Sequence, residues 1–288
     1  MINSMVDLIA YSKKYDSLSE AIIHYEMFNS GESYEFVWRT MASQLEVMRM
    51  SVSQGIEGVH SSTGLSGGDA QKMNEYLKHH EPLVGSLVAK ASRNAIATNE
   101  INASMGIICA TPTAGSAGVL PGVLMALVEE RNLSLEEQIR FLFVAGGIGY
   151  VIANNASISG AEGGCQAEIG SASAMCAAAV VDYMGGSVEM AVEACGMTIK
   201  NMLGLICDPV AGLVEVPCVK RNALGASQAL VSADLALAGI RSRIPVDEVI
   251  ETMYKVGLEL PSKFRETGKG GLADTPTALR KQSEIFGQ

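Results

Sequence analysis

Small side chains constrain this chain more than any other feature. Ala, Gly, Ser and Met are abundant, with 30 Gly and 15 Met among 288 residues, while aromatic residues make up only 5%. Small side chains let helices approach closely at native packing density. A sheet would call for runs rich in β-branched and aromatic residues, and these are scarce. We therefore expect an all-α fold of tightly packed helices. Apolar residues are 48% of the chain and charged residues 18%, so a chain of this length can bury a substantial core and disorder is not expected.

Punctuation along the sequence supports the helical reading. Ser17-x-x-Glu20 and Ser134-x-x-Glu137 both have the form of a capping box, in which two exposed backbone N–H groups are satisfied reciprocally. The first opens a helix containing Ile22, Ile23, Tyr25, Met27 and Phe28 that Gly31 should end. Val37, Met41, Leu45 and Met48 then continue at helical spacing. The second opens a helix with Ile139, Phe143 and Tyr150, whose Gly146, Gly147 and Gly149 cost helix propensity unless another backbone packs against them. Further helices are expected over 188–205 and 247–258, and the tail at 264–271 returns to Gly and charge. A stretch of small residues over 55–69, which includes His60, reads as a functional or mobile loop. No fixed-period repeat or low-complexity linker divides the chain. One domain is expected over 1–288, with N-terminal helices and a loop over 1–70 and a functional core over 83–272.

The formal charge of −10 and the lack of any basic stripe with interleaved aromatics argue against nucleic-acid binding. The most apolar runs, 117–128 and 141–153, fall short of the ~20 residues a membrane-spanning helix needs. Residues 1–15 carry Asp7 and lack the pattern of a signal peptide. A cytoplasmic protein without membrane association is the expectation.

Six cysteines follow: Cys109, Cys165, Cys176, Cys195, Cys207 and Cys218. Without an export signal a disulfide framework is not expected. Cys109, Cys176 and Cys195 lie among small apolar neighbours and read as packing residues. The other three sit in loops beside Gly or Pro, at Gly163-Gly164-Cys165-Gln166-Ala167-Glu168, Cys207-Asp208-Pro209-Val210-Ala211-Gly212 and Val216-Pro217-Cys218-Val219-Lys220-Arg221-Asn222. The pattern places Cys165 and Cys218 just ahead of helices, and Lys220 and Arg221 follow Cys218, a setting that favours the thiolate a metal requires. The spacing itself matches neither the short four-cysteine runs of ferredoxins nor the CxxC pairs of zinc sites. On spacing alone, unligated loop cysteines remain the simpler reading.

These three stretches, with Thr111-Pro112-Thr113-Ala114-Gly115, residues 154–159 and Arg265-Glu266-Thr267-Gly268-x-Gly270-Gly271-Leu272, resemble the iron–sulfur L-serine dehydratases. The likeness runs in order from about the first helix to the C-terminal tail. It implies that Cys165, Cys207 and Cys218 hold a [4Fe–4S] cluster in a largely helical catalytic domain. It also implies that the cluster's open iron acts as a Lewis acid on L-serine, giving pyruvate and ammonia in amino-acid degradation and gluconeogenesis. Single-chain members carry a regulatory domain and end in a cysteine able to cap that iron. This chain ends Glu284-Ile285-Phe286-Gly287-Gln288, so it resembles the α chain of the two-chain form, with a separate β chain as partner and an oligomeric assembly expected.

For the substrate carboxylate, Asn155, Ser157 and Arg265 are favoured donors, with Thr113 and Lys220 as further candidates. The proton-abstracting base is not identified. His60, in the small-residue loop, is one candidate, although an ordinary surface histidine explains it as well, and His24, His79 and His80 read as helix-surface residues. Three rival readings stand beside this one. A related iron–sulfur lyase acting on L-cysteine or another β-substituted amino acid would need nearly the same constellation. A PLP enzyme would need a Schiff-base lysine and a phosphate loop, for which only Lys220 and Gly163-Gly164 are available. A non-enzymatic metal-binding module would normally group four ligands closely.

Overall fold

A computed structural model describes residues 1–287, and among them it contains helices and no sheet, as the small-residue composition leads one to expect. The N-terminal helices are α1 (Met5–Ser12), α2 (Leu18–Ser30) and α3 (Tyr34–Glu57). Next come α4 (Asp69–His79), α5 (Gly85–Ala103), α6 (Val119–Arg131) and α7 (Leu135–Asn155). The short α8 (Gly160–Gly163) precedes a π-helical turn over Gln166–Gly170 and then α9 (Ser171–Tyr183). The chain closes with α10 (Val188–Met202), α11 (Cys218–Leu237), α12 (Val246–Glu259) and α13 (Pro276–Phe286).

Local signals set most of these boundaries. Ser134 and Glu137 form both halves of a capping box, at 3.2 and 2.7 Å. Ser17 forms only the first half, accepting from Glu20 N at 3.2 Å. The Glu20 carboxylate instead pairs with Arg140 of α7 at 2.8 Å, so a tertiary ion pair has taken the partner that local capping would use. Gly31 ends α2 at φ +74°, where a residue without Cβ is unstrained. The stretch over 264–271 is irregular, as its Gly and charge suggest, and a further helix follows it. Thr275 caps α13 through Ala278 N, with Pro276 in the first turn, a start signal that was legible in the sequence.

Two helices organise the core. One is α9, buried without interruption from Ser171 to Val181 and packed by α7, α10 and α11. Apart from Met175, its buried face is Ala, Ser, Cys or Val, so close backbone approach supplies the dispersion that large side chains supply elsewhere. The other is α5, which contacts α3, α4, α6 and α11. A Cβ on Gly118, at the start of α6, would fall inside the Ala95 carbonyl oxygen, and one on Gly55 of α3 would do the same at Ala97. The α7 glycines behave differently from expectation. Gly147 and Gly149 receive the side chains of Ile22 and Met175, while Gly146 faces open space. Side-chain knobs, not a second backbone, occupy that face. No described helix is long and apolar enough to cross a membrane.

Candidate functional site

Three breaks in regular structure converge beside α9 and α11. Cys165 stands between α8 and the π-turn, and such turns recur at functional sites because they re-aim side chains. Gln166, fully buried, fixes the turn. Its side chain donates to Met253 O at 2.9 Å and accepts from Gly204 N at 2.9 Å, while its own N–H donates to Leu205 O at 3.0 Å. Cys207 lies on an extended segment that pairs with the C-terminal tail. Its N–H donates to Phe264 O at 2.8 Å, and its carbonyl accepts from Glu266 N at 2.9 Å. Cys218 is the first residue of α11.

All three thiols are buried, at 2%, 2% and 6% exposure. The sulfurs of Cys165 and Cys207 and a Glu168 carboxylate oxygen lie within 4.8 Å of one another. Cys218 stands outside that tight set but near enough to feel its charge. The Cys165 thiol is held below its usual range by a hydrogen bond from Cys207, with Arg221 assisting and burial opposing. Cys207 is pushed up by that same hydrogen bond and then by burial. Cys218 is pushed up by burial and by the charges of Cys165 and Glu168.

Charge around the sulfurs is balanced by a residue of α11. Arg221 places Nη1 3.4 Å from Cys165 Sγ and 2.8 Å from Ile206 O, and Nη2 2.9 Å from the buried Asp208. Asp208 also accepts from Leu272 N at 2.7 Å, which anchors the tail beside Cys207. Glu168 accepts a hydrogen bond from Thr113 Oγ1 at 2.7 Å. Burial raises its carboxyl to about 7, against that hydrogen bond. A Cβ on Gly160 would come within 2.6 Å of Glu168 Oε2 and 3.2 Å of Cys207 Sγ, and one on Gly115 within 3.1 Å of Oε1. These two glycines are what let the carboxylate sit there.

Hydrogen bonds between distant segments assemble the loops around this centre. Asn222, fully buried, accepts from Gly118 N at 3.0 Å and donates to Gly115 O at 2.8 Å and Cys218 O at 3.0 Å. It is a structural clamp between the Thr113 loop and α11. The loop over 58–68, expected to be functional or mobile, is pinned. Ser66 and Thr63 donate to the buried Glu215 at 2.6 and 2.8 Å. Glu100 accepts from Asp69 N and Ala70 N at 2.8 and 3.2 Å.

The other residues singled out in the sequence are distributed unevenly. Thr113 joins the centre. Arg265 flanks Cys207 through the paired backbone and forms no ion pair among the described residues. Asn155 donates its amide to Asn3 O and Val151 O, both at 2.8 Å, and Ser157 accepts from Ser159 N at 3.1 Å. Both line an open cleft of about 590 Å³ with Glu162 and Tyr254, a short distance along the chain from the sulfurs. Lys220 is exposed and engaged with Asp69, so the cation touching a cysteine is Arg221 instead. His60 is exposed at the edge of the pinned loop. Glu168 carried a readable signal that was not used: it lies three residues after Cys165 in a helical run, the spacing that brings side chains together. Arg221 stands in the same relation to Cys218.

The donor set suits an iron–sulfur group. Three buried cysteines offer the soft ligands such clusters take, and a guanidinium against one sulfur is the kind of outer contact that tunes them. Residues 13–273 match the family model described as serine dehydratase alpha chain. The chain belongs to that family. Over its full length it is 56% identical to a Bacillus subtilis protein named probable L-serine dehydratase, alpha chain, covering 96% of that protein. It is 42% identical to the L-serine dehydratase, alpha chain, of Peptoniphilus asaccharolyticus, with 99% of each chain covered. L-serine dehydratase 1 of Escherichia coli is 44% identical over 182 residues, which span 62% of this chain and 40% of that protein. Membership in the family makes this chain an enzyme of the lyase class.

Proposed function

We propose that the chain is the catalytic subunit of a cytoplasmic L-serine dehydratase that releases pyruvate and ammonia and works with a separate β chain. Cys165, Cys207 and Cys218 would hold a [4Fe–4S] cluster, within the single domain over 1–288. The observation that carries this reading is the convergence of three buried cysteines, separated by 41 and 10 intervening residues in sequence, on one arginine and one carboxylate in a chain of this family. When bound, such a group supplies an open iron that acts as a Lewis acid toward the substrate hydroxyl.

The chain's own residues supply the rest. Arg221 offsets thiolate charge at Cys165, and Thr113 orients the Glu168 carboxylate. Arg265, without an ion-pair partner among the described residues, is available to a substrate carboxylate, for which a guanidinium offers two parallel donors. Asn155 and Ser157 keep free acceptor or hydroxyl capacity in the adjoining cleft. His60 is the candidate for removing the Cα proton. Support for it comes from the Glu215 tether, since Glu215 lies three residues ahead of Cys218 and binds the His60 loop.

The test is anaerobic reconstitution with iron and sulfide, with and without a β chain, followed by measurement of pyruvate from serine, threonine and cysteine. Iron- and sulfide-dependent turnover of serine is the expected result. Full activity in iron-free protein would overturn the proposal, and preference for cysteine would move the substrate to the related lyase reading.

A further inference from the structure

Three thiolates leave one corner of a four-iron cluster without a protein ligand, and one buried group beside them has no cation of its own. Glu168 is 7% exposed, and among the described residues its carboxylate is held by neutral donors alone, the Thr113 hydroxyl and the Gly160 backbone N–H. No lysine or arginine pairs with it among the described residues. Arg221, the nearest candidate, is committed to Cys165, Ile206 O and Asp208. The other charge that reaches Glu168 is Glu266, which has the same sign. A carboxylate buried among thiols without a counter-cation is unfavourable, so this arrangement calls for a positive group between the oxygen and the sulfurs.

The surrounding backbone is shaped for that carboxylate. Gly160 and Gly115 flank its two oxygens, and a Cβ at either would crowd them, with the Gly160 position also pressing on Cys207 Sγ. The Thr113 hydroxyl and the Gly160 backbone N–H hold the carboxylate, one oxygen of which lies within the 4.8 Å set that includes Cys165 and Cys207. Ligating carboxylates are commonly held by such an outer hydrogen bond.

Building on the cluster reading above, we infer that Glu168 is a fourth protein ligand of the iron–sulfur group, binding through its carboxylate the iron that the three cysteines leave open. Carboxylate oxygen is a harder donor than thiolate and a poorer match for iron in a cluster. A carboxylate at this corner therefore protects the open iron yet yields it to a chelating amino acid more readily than a thiolate would. The role is confined to this chain and needs no residue from a partner.

The experiment uses holoprotein reconstituted anaerobically with ⁵⁷Fe, as wild type, Glu168→Gln and Glu168→Asp. Iron and sulfide are counted and the Mössbauer spectrum recorded without substrate. Wild type should show one iron distinct from the other three, with the shift of an oxygen-ligated site. In Glu168→Gln that component should change, and mild oxidation should remove one iron faster by roughly tenfold, the scale of a lost metal contact. Glu168→Asp should recover part of the wild-type signal. Should Glu168→Gln fail to assemble a cluster, wild type grown with ¹³C-carboxyl glutamate gives an independent reading. Hyperfine coupling from that carbon to the reduced cluster supports the assignment, and its absence overturns it. An unchanged unique-iron component in Glu168→Gln also overturns the assignment, alone. Wild-type protein that takes up no sulfide overturns the cluster reading and this assignment with it.

Discussion

Five buried cysteines fall into two regions that burial alone does not tell apart. Cys176 and Cys195, in α9 and α10, are fully inaccessible, and Cys165, Cys207 and Cys218 are nearly so. In the helical core the neighbours are Ala, Val and Met, and desolvation holds both thiols protonated far above their usual range. Around the other three the neighbours are one another, Glu168 and Arg221, and the sulfurs respond to charge as well as to burial. A buried thiol in apolar surroundings is a small hydrophobe. The same thiol beside a guanidinium and two other thiols is a ligand waiting for a cation.

The largest expected effect tests that division directly. Cys165→Ser, Cys207→Ser or Cys218→Ser should abolish serine turnover and visible cluster absorbance while circular dichroism stays helical. Cys176→Ser and Cys195→Ser should keep the activity of the folded protein and lose about 1–3 kcal/mol of stability, the cost of burying a hydroxyl in an apolar site, read by chemical denaturation. Activity loss in the second pair at full stability would break the comparison.

Adjacent cations on α11 sharpen it next. Arg221→Ala should lower iron retention by about 10–100-fold, as outer-contact mutations at metal sites do, measured by chelator challenge. Lys220→Ala removes a surface pair with Asp69 and should cost under about 1 kcal/mol.

Packing in the core supplies a third contrast. Gly118→Ala forces a Cβ into the Ala95 carbonyl and should destabilise by about 1–3 kcal/mol. Gly146→Ala enters open space and should stabilise α7 by up to about 1 kcal/mol. Thermal melts of the two variants should move in opposite directions.

The smallest effect concerns Asp182, in the last turn of α9. Burial raises its carboxyl from 3.8 to about 6, with Arg140 opposing. The folded protein therefore binds this proton more tightly than the unfolded chain does. Its contribution to stability falls as pH rises from near 4 to near 6 and is level above that. Asp182→Asn should flatten this fall and gain about 1 kcal/mol at pH 7, a figure reduced from the full shift because the side chain is only partly buried. An unchanged pH profile of the denaturation midpoint would remove Asp182 from the account.

Periodicity and capping made α2, α3, α7, α10 and α12 legible before any coordinates, because those signals are local. The N-terminal start of α13 is equally local, in Thr275-Pro276, although the Gly and charge just before it give no sign of a helix. Gly147 and Gly149 announced close packing but not its partner, since the sequence does not say that Ile22 and Met175 fill the gaps. The three loop cysteines could be named through family resemblance, whereas their spacing alone left them unassigned. Lys220 and Arg221 are neighbours in sequence with the same charge. Only the turn of α11 sends one to Asp69 and the other to Cys165.

By itself, the sequence determined the helical class, because small residues with caps at regular intervals leave no other economical way to bury the backbone. It also set Cys165, Cys207 and Cys218, each beside a break in regular structure, apart from Cys176 and Cys195 within helices, although Cys109, read with that pair, lies in a non-helical segment. The tertiary structure alone decided that Cys207 and Arg221 meet Cys165, that Glu215 ties down the His60 loop, and that Asn155 is bonded to the N-terminal segment. Those are contacts between segments far apart in the chain, fixed by how α9 and α11 pack. No local propensity encodes them.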